Sequence, residues 1–180
     1  MTKLDNAILI ATAAFEGETR DDGVTPAVVH AIETLTNLTE VAGIRDENVL
    51  IAGILHDVIE DAKDKVPGIE RDIEYLYGPR VLKLVKEVTL PPHPTYEQKT
   101  GFMVNLMATG DIDAVIVKLA DRLSNVRNMS GWKQARRDRY RTQTQAMLAV
   151  LSHRRIQADT IEADAINRLR SELWRTVLNP

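Results

Sequence analysis

The chain has 180 residues, with 23 Lys and Arg against 26 Asp and Glu and a formal net charge of −3. At 44% hydrophobic and 27% charged residues it carries enough apolar side chain for a buried core, which excludes intrinsic disorder. With no cysteine, disulfides, Cys-zinc centres and thiol nucleophiles are excluded, so any metal must be held by His and carboxylate. The slight acidity argues against a sequence-independent grip on duplex nucleic acid.

Val, Ile, Leu and Ala recur at helical spacing, which predicts helices almost throughout. The first is expected from Asp5 to Glu16, ending at Gly17, and a polar loop then leads to Pro26 at the first turn of a second helix reaching Val41. A third, from Asp46 to Ala62, is apolar nearly all round and reads as the central buried helix. Shorter helices follow over Ile69–Tyr77 and Arg80–Val88, separated by Gly78-Pro79. A proline-rich turn, Thr89 to Pro94, precedes helices over Tyr96–Ala108, Asp113–Asn128, Lys133–Arg155 and Ala158–Leu178. The expectation is a single all-α domain over residues 1–180. Apolar runs such as Asn6–Phe15 are too short to cross a bilayer, and the N-terminus lacks the layout of a signal peptide, so the expected location is cytoplasmic.

The central helix carries an anomaly. His56, Asp57, Glu60 and Asp61 are set into a segment otherwise as apolar as a core. On a helix His56 stacks on Glu60 and Asp57 on Asp61, so three carboxylates share one side and repel one another. A cation or a wet cleft relieves that repulsion, and so does a helix that surfaces at its C-terminal end. His30 reads alone as a core or boundary histidine, and Asp121, closing an apolar run, as a partner for Lys118 or Arg122. Together, His30, His56, Asp57 and Asp121 supply two imidazoles and two carboxylates, a set suited to Mn²⁺, Fe²⁺ or another divalent ion.

The order His…His-Asp…Asp resembles the HD superfamily of metal-dependent phosphohydrolases. Ile54 to Asp61 is similar to the "LLHDxxED" segment of its RelA/SpoT-type alarmone hydrolases, and Val117 to Arg127 to their "KxADRLxNxR" segment. Gly17 through His30 resembles the family's glycine-basic loop and "PYxxHP" stretch, and Tyr77 through Thr89 its "FGxxVxxLVxxVT" region. Gly131-Trp132, Arg136 and Tyr140 resemble the "GWxxxRxxxY" element of the small, hydrolase-only members.

The resemblance implies an HD-domain helical bundle that removes the 3′-pyrophosphate of purine alarmones such as ppGpp or ppApp. It implies metal ligands at His30, His56, Asp57 and Asp121, and catalytic roles for Glu60 and Asp61 on the attacking water. It also implies substrate contacts from Arg20, Asn125, Arg136 and Tyr140. The expected cofactor is Mn²⁺, with Fe²⁺ or another divalent ion as alternatives. The expected partner is a small nucleotide rather than a nucleic acid or a membrane, with monomer and homodimer both open. Two alternatives stand beside it: a phosphohydrolase of another nucleotide such as NADPH, and a non-catalytic nucleotide-binding protein. The chain departs from the family pattern at Ala27 (an aromatic position), Ala31 (Pro), Asp21-Asp22 (a basic and a small residue) and Ser124 (His or Tyr).

Overall fold

The computed structural model describes residues 1–61 and 66–178, with the side chain of Leu178 left aside. It is all-α: among the described residues the only extended pairing is an isolated bridge between Thr19 and Pro26. Helix α1 runs Lys3–Ala14, two residues earlier than the pattern predicts. The reason is local: the Thr2 hydroxyl accepts from the Asp5 amide and the Asp5 carboxylate accepts from the Thr2 amide, closing a capping box. Its buried residues Ala7, Ala11 and Ala14 are small, which lets α1 lie close on the helix α3, Glu47–Leu55.

The loop between α1 and α2 (Val28–Thr36) is tightly built. Ala27 N–H donates to Glu18 O at 2.9 Å and Arg20 N–H to Thr25 O at 2.7 Å. Asp22 accepts from the Val24 and Thr25 amides and from the Thr25 hydroxyl, and these bonds, the hydroxyl's first, lower its pKa to about 2. Pro26 therefore belongs to the bridge, not to the first turn of α2 as its sequence position predicts. The second helix also ends sooner than expected, continuing as a π turn over Asn37–Val41. There the Asn37 amide donates to Ala120 O at 3.0 Å and its oxygen accepts from Arg127, tying the turn to α8 (Ile112–Arg127).

Helix α3 is capped by Asp46, which accepts from the Asn48 and Val49 amides, and every residue from Val49 to Leu55 is buried. The predicted continuous helix from Asp46 to Ala62 is broken, however. It stops at Leu55, turns through His56 and Asp57, and resumes as the four-residue α4, Val58–Asp61; Ala62 lies outside the described residues. Helices α5 (Ile69–Tyr77) and α6 (Pro79–Val88) follow, then α7 (Tyr96–Thr109), α8, α9 (Gln134–His153) and α10 (Ile161–Leu178). Arg80 joins the start of α6 to Asp111 and Asp113 at the start of α8. Almost all of α8 is buried, with α2, α3, α6 and α10 packed around it. Two nearly fully buried helices, α3 and α8, thus form the centre, and α2 closes a third side.

The approach of the π turn after α2 to α3 depends on Gly53. A Cβ there would lie 2.3 Å from Leu38 Cδ1, and Leu38 is completely buried. In an exposed helix, Gly to Ala stabilises by about 1 kcal/mol. Here Gly53→Ala is expected to destabilise by about 1–3 kcal/mol through overpacking, read from the denaturant midpoint, with partial recovery on adding Leu38→Ala. A stabilising Gly53→Ala would refute this account of the helix contact.

Candidate metal centre and its cleft

Four side chains from three helical segments meet at one point. His30 from α2 brings its Nε2 to 3.1 Å from His56 Nε2, 3.4 Å from Asp57 Oδ2 and 3.1 Å from Asp121 Oδ1. His56 Nε2 is 3.0 Å from Asp57 Oδ2 and 3.7 Å from Asp121 Oδ1. His30, His56 and Asp121 each offer a ligand atom within 4.8 Å of the others. The break after α3 is what makes this possible: with the helix interrupted, the His56 ring folds back so that Nδ1 lies 2.8 Å from Gly53 O. A carbonyl only accepts, so Nδ1 carries a proton and Nε2 is the nitrogen left to the cluster, for a second proton or a metal. Asp121 is oriented in the same way, since its Oδ2 is 2.8 Å from Lys118 Nζ and its Oδ1 accepts from Asn125 Nδ2 at 2.7 Å. The ion pair with Lys118 and the place in the cluster, alternatives in sequence, coexist on the two oxygens of one carboxylate.

The electrostatics require positive charge here. Burial opposes protonation of His56, but the Asp57 charge and hydrogen bonds to Asp121 and Asp57 outweigh it and raise its pKa to about 10. His30 is raised for the same reasons, burial again being overcome by its bonds to Asp121 and Asp57. Conversely, Asp57 and Asp121 are held well below the usual carboxylate range: burial opposes this, and the His56 charge for Asp57 and the Lys118 charge for Asp121 prevail. Two carboxylates converging on two imidazole Nε2 atoms demand either protons or a cation between them. That donor set of nitrogen and oxygen fits a divalent ion of the Mn²⁺ or Fe²⁺ type.

His30, His56 and Asp57 of the cluster line a cleft of roughly 250 Å³, together with Phe15, Arg20, Asp21, Asp61 and Asn125. Asp61 faces this cleft, and burial together with the charges of Asp57 and Glu60 raises its pKa to about 6. Glu60 does not line it. Its carboxylate accepts from Leu90 N–H at 3.2 Å, and burial and the Asp57 charge raise its pKa. Arg20 spans the wall, donating to Glu33 at 3.0 Å and to Asn125 Oδ1 at 3.3 Å.

Arg136 and Tyr140 stand apart from the cleft floor. Arg136 forms a two-pronged pair with Asp21 at 2.7 and 2.9 Å and lies 3.8 Å over the Trp132 ring, on a neighbouring shelf. Tyr140, expected to face substrate, is instead packed edge-on to Trp132 with the buried Arg122 guanidinium 3.9 Å over its ring. Arg122 is 1% exposed, so its charge is accommodated by this ring, by Gln143 and by Met147 rather than by water. Of the two acids in the loop, Asp22 builds the turn and Asp21 holds Arg136. His93 and most of the Arg136–Arg139 stretch are exposed, whereas Tyr140 and Arg141 beyond it are half-buried. No helix among the described residues is long and apolar enough to cross a membrane.

An all-α bundle with a His…His-Asp…Asp cluster at the meeting of three helical segments defines a class. The HD domain family matches residues 7–156, and the chain belongs to that family. Within it, the chain is similar to guanosine-3′,5′-bis(diphosphate) 3′-pyrophosphohydrolase MESH1 of Drosophila melanogaster, 38% identical over 126 residues, covering 67% of this chain and 68% of that one. It is also 33% identical over 158 residues to the bifunctional (p)ppGpp synthase/hydrolase SpoT of Escherichia coli, covering 84% of this chain but 22% of SpoT. Among solved structures, a metazoan ortholog of SpoT that hydrolyzes ppGpp superposes with a TM-score of 0.75 at 30% identity, covering 95% of this chain and 96% of that one.

Proposed function

We propose that this chain hydrolyses the 3′-pyrophosphate of a purine alarmone, ppGpp or ppApp, releasing pyrophosphate and the 5′-nucleotide, and that residues 1–180 act as one HD-type hydrolase unit in the cytoplasm. The observation that carries the reading is the convergence of His30, His56, Asp57 and Asp121 beside Asp61 in an open cleft. The relatives named above for action on guanosine 3′,5′-bis(diphosphate) support the substrate class.

His30, His56, Asp57 and Asp121 would hold a divalent ion, Mn²⁺ first among the candidates. When bound, such an ion lowers the pKa of water toward about 7 and offsets charge on phosphoryl oxygens. Asp61, with a pKa of about 6, is ionised at neutral pH yet basic enough to take a proton from the attacking water. Glu60 acts on that base through its charge, since its own carboxylate is engaged by Leu90. Water would give a proton to Asp61 and its oxygen to the phosphorus attached to the 3′ oxygen; the P–O3′ bond breaks, the 3′ oxygen takes a proton from solvent to become the hydroxyl of the 5′-nucleotide, and Asp61 returns its proton to solvent. Arg20 and Asn125, linked to each other on the cleft wall, would receive the nucleotide's phosphates and ribose. Arg136 reaches an anionic substrate only by exchanging Asp21 for it, and Tyr140 supports that shelf from behind Trp132.

The test is product analysis of the metal-stripped protein with ppGpp or ppApp, with and without Mn²⁺. Mn²⁺-dependent release of pyrophosphate with equimolar GDP or ADP is expected, and the faster substrate names the base. Orthophosphate alone, or a large preference for NADPH, would move the chain to another phosphohydrolase class. Tight binding without turnover would replace the enzyme with a nucleotide-binding protein.

A further inference from the structure

The departure from the family pattern at Ser124 creates a contact that the catalytic reading leaves unused. Ser124 is 1% exposed on α8, and its Oγ lies 2.9 Å from His30 Nδ1 and 2.6 Å from Glu33 Oε2. A serine hydroxyl has one proton. Glu33 Oε2 is an acceptor: it also takes Arg20 Nη1 at 3.0 Å and Asn128 Nδ2 at 2.9 Å. The hydroxyl proton therefore points to Glu33, and the Ser124 oxygen is left to accept from His30 Nδ1–H. This leaves Nε2 as the His30 nitrogen that faces His56, Asp57 and Asp121 and can ligate a metal.

We infer that Ser124 and Glu33 are positioning residues, a carboxylate–hydroxyl–imidazole chain that fixes the tautomer and ring angle of His30 for metal binding. His56 obtains the same result from a backbone carbonyl, Gly53 O. His30 is on a helix whose carbonyls are committed to α2 and must take its orientation from another element. Glu33 is one helical turn from His30 but reaches it through Ser124, 91 residues further along the chain. Arg20 and Asn128 share Oε2 with the Ser124 hydroxyl and hold the carboxylate in place, so that its charge polarises that hydroxyl and strengthens the acceptor that His30 sees.

The inference rests on His30 being a ligand, and the experiment separates the two. Mn²⁺ is titrated into the full chain, with free Mn²⁺ followed by its electron paramagnetic resonance signal, for the native protein, Ser124→Ala, Ser124→Thr and Glu33→Gln. Loss of such outer partners weakens metal binding about 10–100-fold. Ser124→Ala is expected in that range, Glu33→Gln at several-fold, and Ser124→Thr, which keeps the hydroxyl, near the native affinity. A native-like Mn²⁺ affinity for Ser124→Ala overturns the chain of contacts while leaving the metal centre standing. So does a Ser124→Thr as weak as Ser124→Ala, because packing alone would then explain the loss. A native protein that binds no Mn²⁺ overturns the ligand reading itself. Glu33, only partly buried, gives a variant that keeps the test decisive where a change at Ser124 disturbs folding.

Discussion

Asp57→Ala is expected to lower kcat by at least about 10³-fold while the helical fold survives, since several kcal/mol of transition-state stabilisation rest on the centre it helps to form. The side chain of Asp57 is one quarter exposed and contributes nothing to the apolar core. Its backbone role is separate: Asp57 O accepts from Asp61 N–H at 2.9 Å whatever the side chain is. What the substitution removes is the oxygen 3.0 Å from His56 Nε2 and 3.4 Å from His30 Nε2. Alanine also favours helix, so it could draw α3 and α4 into one continuous rod and misdirect His56. Asp57→Asn, which keeps the shape and removes the charge, controls for that and is expected to lose most of the activity as well. The measurement is steady-state hydrolysis in saturating Mn²⁺ beside a far-ultraviolet circular dichroism spectrum. Turnover within tenfold of the native rate would remove Asp57 from the centre.

The parts of this architecture legible in the sequence are those governed by local periodicity. The apolar character of Val49–Leu55 marks α3 as central, and it is buried, as is the apolar run in α8 that leads to Asp121. The anomaly of polar groups set into such segments located His56, Asp57 and Asp121, which the fold brings together. Periodicity failed where tertiary contacts override it. The poorest helix former between Asp46 and Asp61, Gly53, lies inside α3 rather than at its end, and where the helix does stop the His56 side chain turns back to Gly53 O. That turn separates Glu60 from Asp61: a regular helix would stack them both over the histidine and aspartate, whereas here Asp61 enters the cleft and Glu60 meets Leu90. The spacing of Arg136 and Tyr140 gave their helical relation but not the direction of that face, which Arg122 sets from beneath. Ser124 and Glu33 had no local signal, since their contact joins α2 to α8 across the fold.

With divalent ions removed by chelation, the protein is expected to lose stability as pH rises from about 6.5 to about 9. The ordinary histidine value is 6.5, and in the folded protein His56 is raised to about 10, because the Asp57 charge and bonds to Asp121 and Asp57 overcome its burial. A group whose folded pKa is raised stabilises fully below its unfolded value, and that contribution is lost as pH climbs through the folded value. Between those limits the folded state keeps a proton that the unfolded chain has released. Over about 2.5 pH units this amounts to about 3 kcal/mol, measurable as a falling denaturant midpoint. His30, shifted in the same direction, adds to the slope rather than opposing it. Saturating Mn²⁺ is expected to flatten the profile, because metal ligation requires both imidazoles to give up those protons before the comparison begins. A chelated protein whose stability is level or rising over this range would mean that the two histidines are neutral among their carboxylates. The charge demand that makes the cluster fit a cation would then be absent. A falling profile that Mn²⁺ abolishes would instead show protons and metal competing for one place, the point between His30, His56, Asp57 and Asp121.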